Sequence, residues 1–408
     1  MSRWRGYGRL FNGLGCSRNT MPLTYCLNVH PGETWAENFA TLRTTVLAVR
    51  DLVAPGQAFG LGMRLSATAA EELCDTERIA ELKRFLAAEN LYVFTINGFP
   101  FGRFHGGPVK EAVYKPDWRT SERRDYTNQL ATILAALIPE GGTGSISTVP
   151  GSWKAWIQSE ADVESMVERL MGCVAHCAGI AAEQRRDILL TLEPEPGCFL
   201  ETTSETVQFF ETRLFVGGAR LLAAKLGCSE ESARELIRHH LGVCLDTCHT
   251  ALQFEEPGES LRRYEAAGIR VPKIQISSAL RTDNSPVSLD ALRAFVEPVY
   301  LHQVKGRTAG GDILGWRDLP EALAELPGSG VEEVRVHFHV PLHFTGSGPL
   351  ESTGGLLTRE FLTYIRGDAL RHLEIETYTW DVLPPGLRST SIERSVAEEF
   401  RWVEMHSV

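Results

Sequence analysis

The stretch "GVCLDTCHTAL" (242–252) reads as a short apolar strand that runs straight into an acid and, three residues later, an imidazole. A strand that merely ended in a turn would need one small polar residue at that point. Asp246 and His249 instead sit where the strand hands over to the next segment, spaced so that both can face one point. Just upstream, 229–241 has the pattern of a helix, with Ser229 as N-cap, Glu230 and Glu231 in the first turn, and Arg238 to His240 before Gly242. Both ends suit the helix dipole. Helix, apolar strand and a polar strand end make up the repeating unit of a parallel sheet covered by helices.

The unit recurs along the chain. Strand-like runs are "LTYCLNV" (23–29), "FGLGMRL" (59–65), "LYVFTIN" (91–97), "GSISTV" (144–149), "ILLTLE" (188–193) and "GVCLD" (242–246). They continue with "KIQIS" (273–277), "PVYLHQV" (298–304), "VRVHFHV" (334–340) and "LEIET" (373–377). Helical patterns fall at 34–53, 67–89, 160–182, 203–226 and 229–241. About eight such units favour a (β/α)8 TIM barrel over an open doubly wound sheet, and no glycine-rich phosphate loop opens a helix. Ten candidates for eight places leave two over. An insertion is therefore expected before the last strand, between 280 and 370, and either 334–340 or 373–377 closes the barrel. "FTGSGPLESTGG" (344–355) reads as an exposed loop. Residues 1–20 carry Arg3, Arg5, Arg9 and Arg18 and no acid, and Met21 opens the first strand. They read as a disordered leader, with 21–408 as a single barrel domain.

Composition narrows the function. The chain is 43% hydrophobic and 23% charged, ordinary for a soluble enzyme, and its net charge of -11 counts against a nucleic-acid partner. No run approaches the ~18 apolar residues of a membrane span, so no membrane insertion is expected. Nine cysteines, an odd number without regular spacing, read as small buried hydrophobes in a reducing, cytoplasmic setting. An oligomer is compatible with all of this.

In a barrel of this kind the chemistry lies at the C-terminal ends of the strands. Those ends carry Asn28 and His30, Asn97, Glu193 in "TLEPEPG", Asp246 with His249, Gln275 followed by Arg281, and Glu376 in "LEIETYTW". His302 in "YLHQV" and the pair His337 and His339 in "HFHVPLH" come late in the chain. One glutamate at a strand end serves equally well as a helix cap or ion-pair partner. Three carboxylates converging on one mouth repel each other unless a cation neutralises them, which is the physical reason to expect a divalent metal. His337 and His339 alternate with Val336, Phe338 and Val340, so they share one strand face. That face points either to the site or to the polar side of an inserted hairpin.

"CLDTCH" resembles the Asp-x-x-His signature of the xylose-isomerase-like TIM barrels, which include sugar isomerases, ketose epimerases and endonuclease IV. "LEPEPG" is similar to their Glu-bearing fifth strand and "KIQIS" to the seventh, with Gln275 where the family has a metal-binding histidine. "VPGS" (149–152) is similar to the His-Pro-Gly-Ser of endonuclease IV, with Val149 in the place of a zinc ligand. "HFHVP" and "EIETYTWDVLP" resemble the EboE family of ebo-cluster metabolite traffic proteins. The resemblance implies a metal set of Glu193, Asp246, Gln275 and Glu376, with Glu193 and Glu376 as the catalytic pair. It implies His249, Arg281, His302 and His339 as substrate contacts and a sugar-like or cyclitol small molecule as substrate. So oxygen-rich a set favours Mn2+ or Mg2+, with Zn2+ also compatible. The implied activity is isomerisation or epimerisation. A non-catalytic metabolite-binding protein on the same barrel is the alternative. A metal-dependent phosphodiesterase of endonuclease IV type is disfavoured by Val149, Gln275 and the acidic charge.

Overall fold

The structure, a computed structural model, describes residues 23–388 and 390–407. The expected leader, 1–20, lies outside the described residues. Eight strands pair in parallel: Leu23–Tyr25, Phe59–Arg64, Leu91–Asn97, Thr143–Thr148, Asp187–Leu192, Leu241–Asp246, Lys273–Ile276 and His372–Ile375. Each neighbours the next in chain order, and the eighth pairs with the first. A parallel bridge between Cys26 and Gly62 joins the first to the second. Thr24 laces the same seam, its hydroxyl donating to the Gly60 carbonyl at 2.8 Å and accepting from the Gly62 N–H at 3.2 Å. The fold is a (β/α)8 barrel.

The last strand is therefore His372–Ile375, which settles which run closes the barrel. Residues 334–340 belong instead to a long strand, Val331–His339, in an antiparallel sheet inserted between the seventh and eighth barrel strands. That sheet runs Ile313–Trp316, Val304–Thr308, Val331–His339, Ala279–Asp283, Glu351–Ser352 across its width. It carries an apolar cluster of its own, including Leu280, Phe295, Val334, Val336 and Phe338. The expected strand at 298–304 does not form before Val304. Pro298 has no N–H to give a sheet, the N–H groups of Val299 and Tyr300 go to the Glu297 carboxylate, and that of His302 goes to Asp318.

Alternation along the strands sends Val243, Leu245, Ile274, Ile276, Leu373 and Ile375 into the main apolar cluster beneath the helices. The alternate residues meet partners on strands that are not their neighbours, which places them inside the barrel. Lys273 reaches Ser147 at 3.2 Å, His372 reaches Ser145 at 2.8 Å, and Glu376 reaches Asn97 at 3.2 Å. The barrel interior is thus polar, where hydrophobic layers are usual. At its centre Lys273 and Glu374 form an ion pair at 2.7 Å with no solvent exposure. Glycine at 62 makes room for it, since a Cβ there would lie 2.0 Å from Glu374 Oε1. Lys273→Met leaves a buried carboxylate without its cation, which costs on the order of 3–5 kcal/mol. Lys273→Met with Glu374→Leu should recover most of that loss. Denaturant unfolding of the two variants checks both statements.

One buried carboxylate ties the insertion to the barrel. Glu399, on the C-terminal helix Ile392–His406, accepts from the Leu342 N–H at 3.1 Å and the Thr377 hydroxyl at 2.6 Å. Burial pushes its carboxyl up to about 7. The unfolded value is ~4.3, so this group's contribution to stability is complete below that pH and is lost as pH rises through about 7. Glu399→Gln removes the titration. Between about pH 5 and pH 8 the variant should gain roughly 2–3 kcal/mol relative to wild type. Urea unfolding of both proteins at the two pH values measures it.

Candidate metal centre

Three strand ends bring carboxylates to one mouth. Glu193 follows the fifth strand, and its backbone N–H bonds the Thr148 carbonyl at 3.1 Å. Asp246 ends the sixth strand and caps the short helix Thr247–Leu252. Its Oδ1 accepts from the His249 N–H at 2.9 Å and the Ser277 hydroxyl at 2.8 Å. The cap explains the Asp-x-x-His spacing, because the acid holds the backbone of the residue whose ring stands beside it. Glu376 follows the eighth strand, and its Oε1 accepts from Asn28 Nδ2 at 2.6 Å and Asn97 Nδ2 at 3.2 Å.

One oxygen from each of Glu193, Asp246 and Glu376 lies within 4.8 Å of the others, and all three residues are buried. Glu193 Oε2, Asp246 Oδ2 and Asn28 Oδ1 are buried without a hydrogen-bond partner. Burial, reinforced by Asp246, pushes the Glu193 carboxyl well up. Burial, reinforced by Glu193 and then Asp246, does the same to Glu376. Burial also opposes ionisation of Asp246, but the His249 and His339 rings, the His249 N–H and a hydrogen bond with Glu376 hold its carboxyl below the usual range. A cation bound among the three would relieve this mutual repulsion.

The inserted sheet supplies imidazoles to the same mouth. His337 and His339, at the end of Val331–His339, meet His249 from the barrel. Each Nδ1 faces an oxygen acceptor: Pro194 O at 3.1 Å from His249, Gln303 Oε1 at 2.6 Å from His337, and Glu376 O at 3.0 Å from His339. Gln303 is oriented by its Nε2, which donates to the Pro196 carbonyl at 2.9 Å. The protons therefore sit on Nδ1 and the lone pairs on Nε2. Burial pushes His249 down to about 4, lowers His337 well below its ordinary value and lowers His339. Glu195 completes this side. Its Oε1 accepts from the Tyr114 hydroxyl at 2.8 Å, and burial raises its carboxyl to about 8.

Of the residues expected from sequence, Glu193, Asp246 and Glu376 come together, and His249 and His339 stand beside them. Gln275 lies in the barrel wall next to Asp246 in register, fully buried. Its Oε1 accepts from the Cys244 thiol at 3.1 Å, while its Nε2 has no partner. His302 is a support for the site: its ring nitrogens engage the His337 carbonyl at 2.8 Å and the Glu297 carboxylate at 2.7 Å, and it stacks on Phe338. Arg281 lies elsewhere, in the inserted sheet, its side chain 44% exposed and paired with Glu333 and Glu351. The six-residue spacing past Gln275 does not carry it to the mouth, because the chain turns into the new sheet at Ala279. Glu195 is not among the expected site residues, and for His337, whose strand face the sequence leaves open, the structure gives the mouth. The shared face of His337 and His339 was a usable signal for the second of these. Glu195 carried only its place in "LEPEPG".

A narrow cleft, with a cavity volume of about 50 Å3, opens onto these groups. Its floor includes Glu193, Glu195, Glu376, His249 and His337, and one side is aromatic. The rings of Phe104, Tyr300 and Tyr378 pack with centroids 5.1–5.4 Å apart. Lys110, at the rim, is paired with Asp318 at 2.7 Å. Among the described residues, no helix is long and apolar enough to cross a membrane.

No family model matches the chain, and no curated protein matches it. Several solved structures are similar to it. A zinc-bound IolI protein shares 14% identity over 95% of this chain and 99% of its own, with a TM-score of 0.45. A D-allulose 3-epimerase from Methylomonas sp., in complex with D-allulose, shares 11% identity over 95% of this chain and 98% of its own, at 0.47. A xylose isomerase domain protein from Planctomyces limnophilus shares 14% identity over 88% of each chain, at 0.45. The fold assignment stands on the strand pairing above.

Proposed function

We propose that the protein is a divalent-metal-dependent isomerase or epimerase acting on a sugar-like or cyclitol metabolite. The observation that carries this reading is geometric: Glu193 and Glu376 flank Asp246 at one mouth, with an oxygen of each within 4.8 Å of the others, and both glutamates line the cleft. Two carboxyl groups on either side of a bound substrate can serve as the base and the acid of a proton exchange next to a carbonyl.

The donors fit a divalent cation: three clustered carboxylates, two with an unpartnered buried oxygen, and the Gln275 amide nearby. Asp246, Glu193, Glu376 and Gln275 would hold it. When bound, the ion supplies positive charge that polarises a carbonyl and an adjacent hydroxyl. Glu193 takes the proton on the carbon next to the carbonyl, and Glu376 delivers and recovers the proton on oxygen. Asn28 and Asn97 fix Glu376 Oε1 and so set the orientation of the carboxyl. The aromatic side of the cleft covers the ring and excludes water.

The similarity of "HFHVP" and "EIETYTWDVLP" to the EboE metabolite traffic family supports a setting in which a small metabolite is tailored and handed on. Those two segments carry His337, His339 and Glu376. The test is to incubate protein reconstituted with Mn2+, Mg2+ or Zn2+ with a panel of ketoses and cyclitol ketones, and to follow isomer formation by NMR. Product that disappears on chelation and returns with metal is expected. Tight binding of panel members without any product would sink the isomerase reading and leave a carrier.

A further inference from the structure

We infer that the substrate carries a protonated amine and that Glu195 recognises it, so that the cleft selects amino-bearing sugars or cyclitols over neutral and anionic ones. The inference rests on the cleft being the substrate site, as proposed above, but not on isomerase chemistry.

Glu195 is 6% exposed and lines the cleft, and the proton exchange proposed above gives it no part. Its orientation is set by the protein. Oε1 accepts from the Tyr114 hydroxyl at 2.8 Å, and that hydroxyl accepts from Gln303 Nε2 at 2.8 Å. The Tyr114 ring stacks on Trp153 with centroids 4.8 Å apart. A recognition group held in this way spends little entropy on its ligand. What Glu195 lacks is a cation. Among the described residues no lysine or arginine pairs with it, and its one ion-pair contact is His337 Nδ1 at 3.7 Å. That nitrogen faces Gln303 Oε1 at 2.6 Å, and the ring is held neutral by its burial. A buried carboxylate is ordinarily matched by a positive partner. Here the open side of the cleft is left to supply it.

The rest of the lining favours the same ligand. Glu193, Glu195 and Glu376 line the cleft, and the one lysine or arginine among the lining residues is Lys110. Lys110 is already satisfied, by Asp318 at 2.7 Å and the Glu297 carbonyl at 3.4 Å. A phosphate or carboxylate on the substrate would therefore meet acids without a counter-charge. A divalent ion among Glu193, Asp246 and Glu376 would offset charge on those three and leave Glu195 unmatched. Beside Glu195, His249 and His337 present Nε2 acceptors 3.1 Å apart, with each Nδ1 facing an oxygen. An ammonium has three hydrogens to give to such a set, where a hydroxyl has one. The rings of Phe104, Tyr114, Tyr300 and Tyr378 line the same cleft, and aromatic faces next to a carboxylate suit a cationic nitrogen.

The test is calorimetric binding to the full-length, Mn2+-loaded protein at about pH 7, where an alkyl amine is charged. The probes are two matched pairs, D-fructose with 1-amino-1-deoxy-D-fructose and scyllo-inositol with 1-amino-1-deoxy-scyllo-inositol, and D-fructose 1-phosphate as the anion. At least one amine should bind ~10-fold or more tightly than its hydroxyl partner. The phosphate should bind more weakly than fructose. Glu195→Gln should bring the ratio of amine to hydroxyl affinity close to unity. Amines that bind no more tightly than their partners, or do not bind, overturn the inference. So does a folded Glu195→Gln that keeps the wild-type ratio, the result expected if the amine merely coordinates the metal ion. The wild-type comparison decides the question even where the variant does not fold. An amine preference without any isomer formation would refute only the proposed function, and isomer formation from neutral ketoses without an amine preference would refute only this inference.

Discussion

Replacing Asp246 with alanine should strip the protein of bound divalent metal and reduce turnover to background. Asp246 is the one carboxylate held ionised among three, and it belongs to both the oxygen-rich and an imidazole-containing ligand group. Its loss removes the donor common to both groups. The same side chain also caps the helix Thr247–Leu252, so alanine carries a structural cost of ~1 kcal/mol from the lost cap. Asp246→Asn separates the two effects, since asparagine caps as well as aspartate but brings no charge. Elemental analysis of both variants should show metal lost in each and stability lowered mainly in the alanine form. Stoichiometric metal in Asp246→Ala would remove Asp246 from the ligand set.

The second large effect is on chemistry with binding preserved. Glu376→Gln should lower turnover ~10²–10⁴-fold, the usual worth of a general acid–base group. The amide is nearly isosteric, and its oxygen can still accept from Asn28 and Asn97 as Glu376 Oε1 does. It cannot exchange the proton. Ligand affinity should therefore stay close to that of wild type, with the loss falling on kcat. His249→Ala acts differently: it leaves the Pro194 carbonyl without the partner it has at 3.1 Å and removes an Nε2 from the cleft floor, so it should weaken binding. Steady-state kinetics with calorimetric binding distinguishes the two patterns. Unaltered turnover in Glu376→Gln would take this residue out of the proton transfer.

Much of the barrel can be read along the chain because its strands are short apolar runs whose polar residues come last. "GVCLD" carries Asp246 at the end of the observed strand Leu241–Asp246, and "LEIET" carries Glu376 just past His372–Ile375. The polar interior was harder to see. Lys273, Gln275 and Glu374 interrupt apolar runs, but nothing local says that Lys273 and Glu374 pair across adjacent strands that lie about 100 residues apart in sequence. The inserted sheet is legible as surplus strands and as an insertion between 280 and 370, but not as a sheet. Its pairings are long-range and antiparallel, and short members such as Glu351–Ser352 have no sequence signature of their own. The same limit hid part of the site. His337 reaches the mouth only because the strand Val331–His339 points its end at the barrel, and Arg281 is diverted from it by the same sheet. Gln303 and Tyr114, which orient His337 and Glu195, are amide and phenol groups that no spacing rule singles out.

Solvent deuterium wash-in tests the central claim most directly, because proton exchange next to a carbonyl occurs even where net isomerisation is masked by the equilibrium. The metal-loaded protein is incubated in heavy water with each ketose or cyclitol ketone it binds, and NMR follows the signal of the proton adjacent to the carbonyl. The account predicts loss of that signal with wild type, a fall of ~10²–10⁴-fold with Glu376→Gln, and none with chelated protein. Binding of these ligands with no deuterium incorporated by the metal-loaded wild type would contradict it.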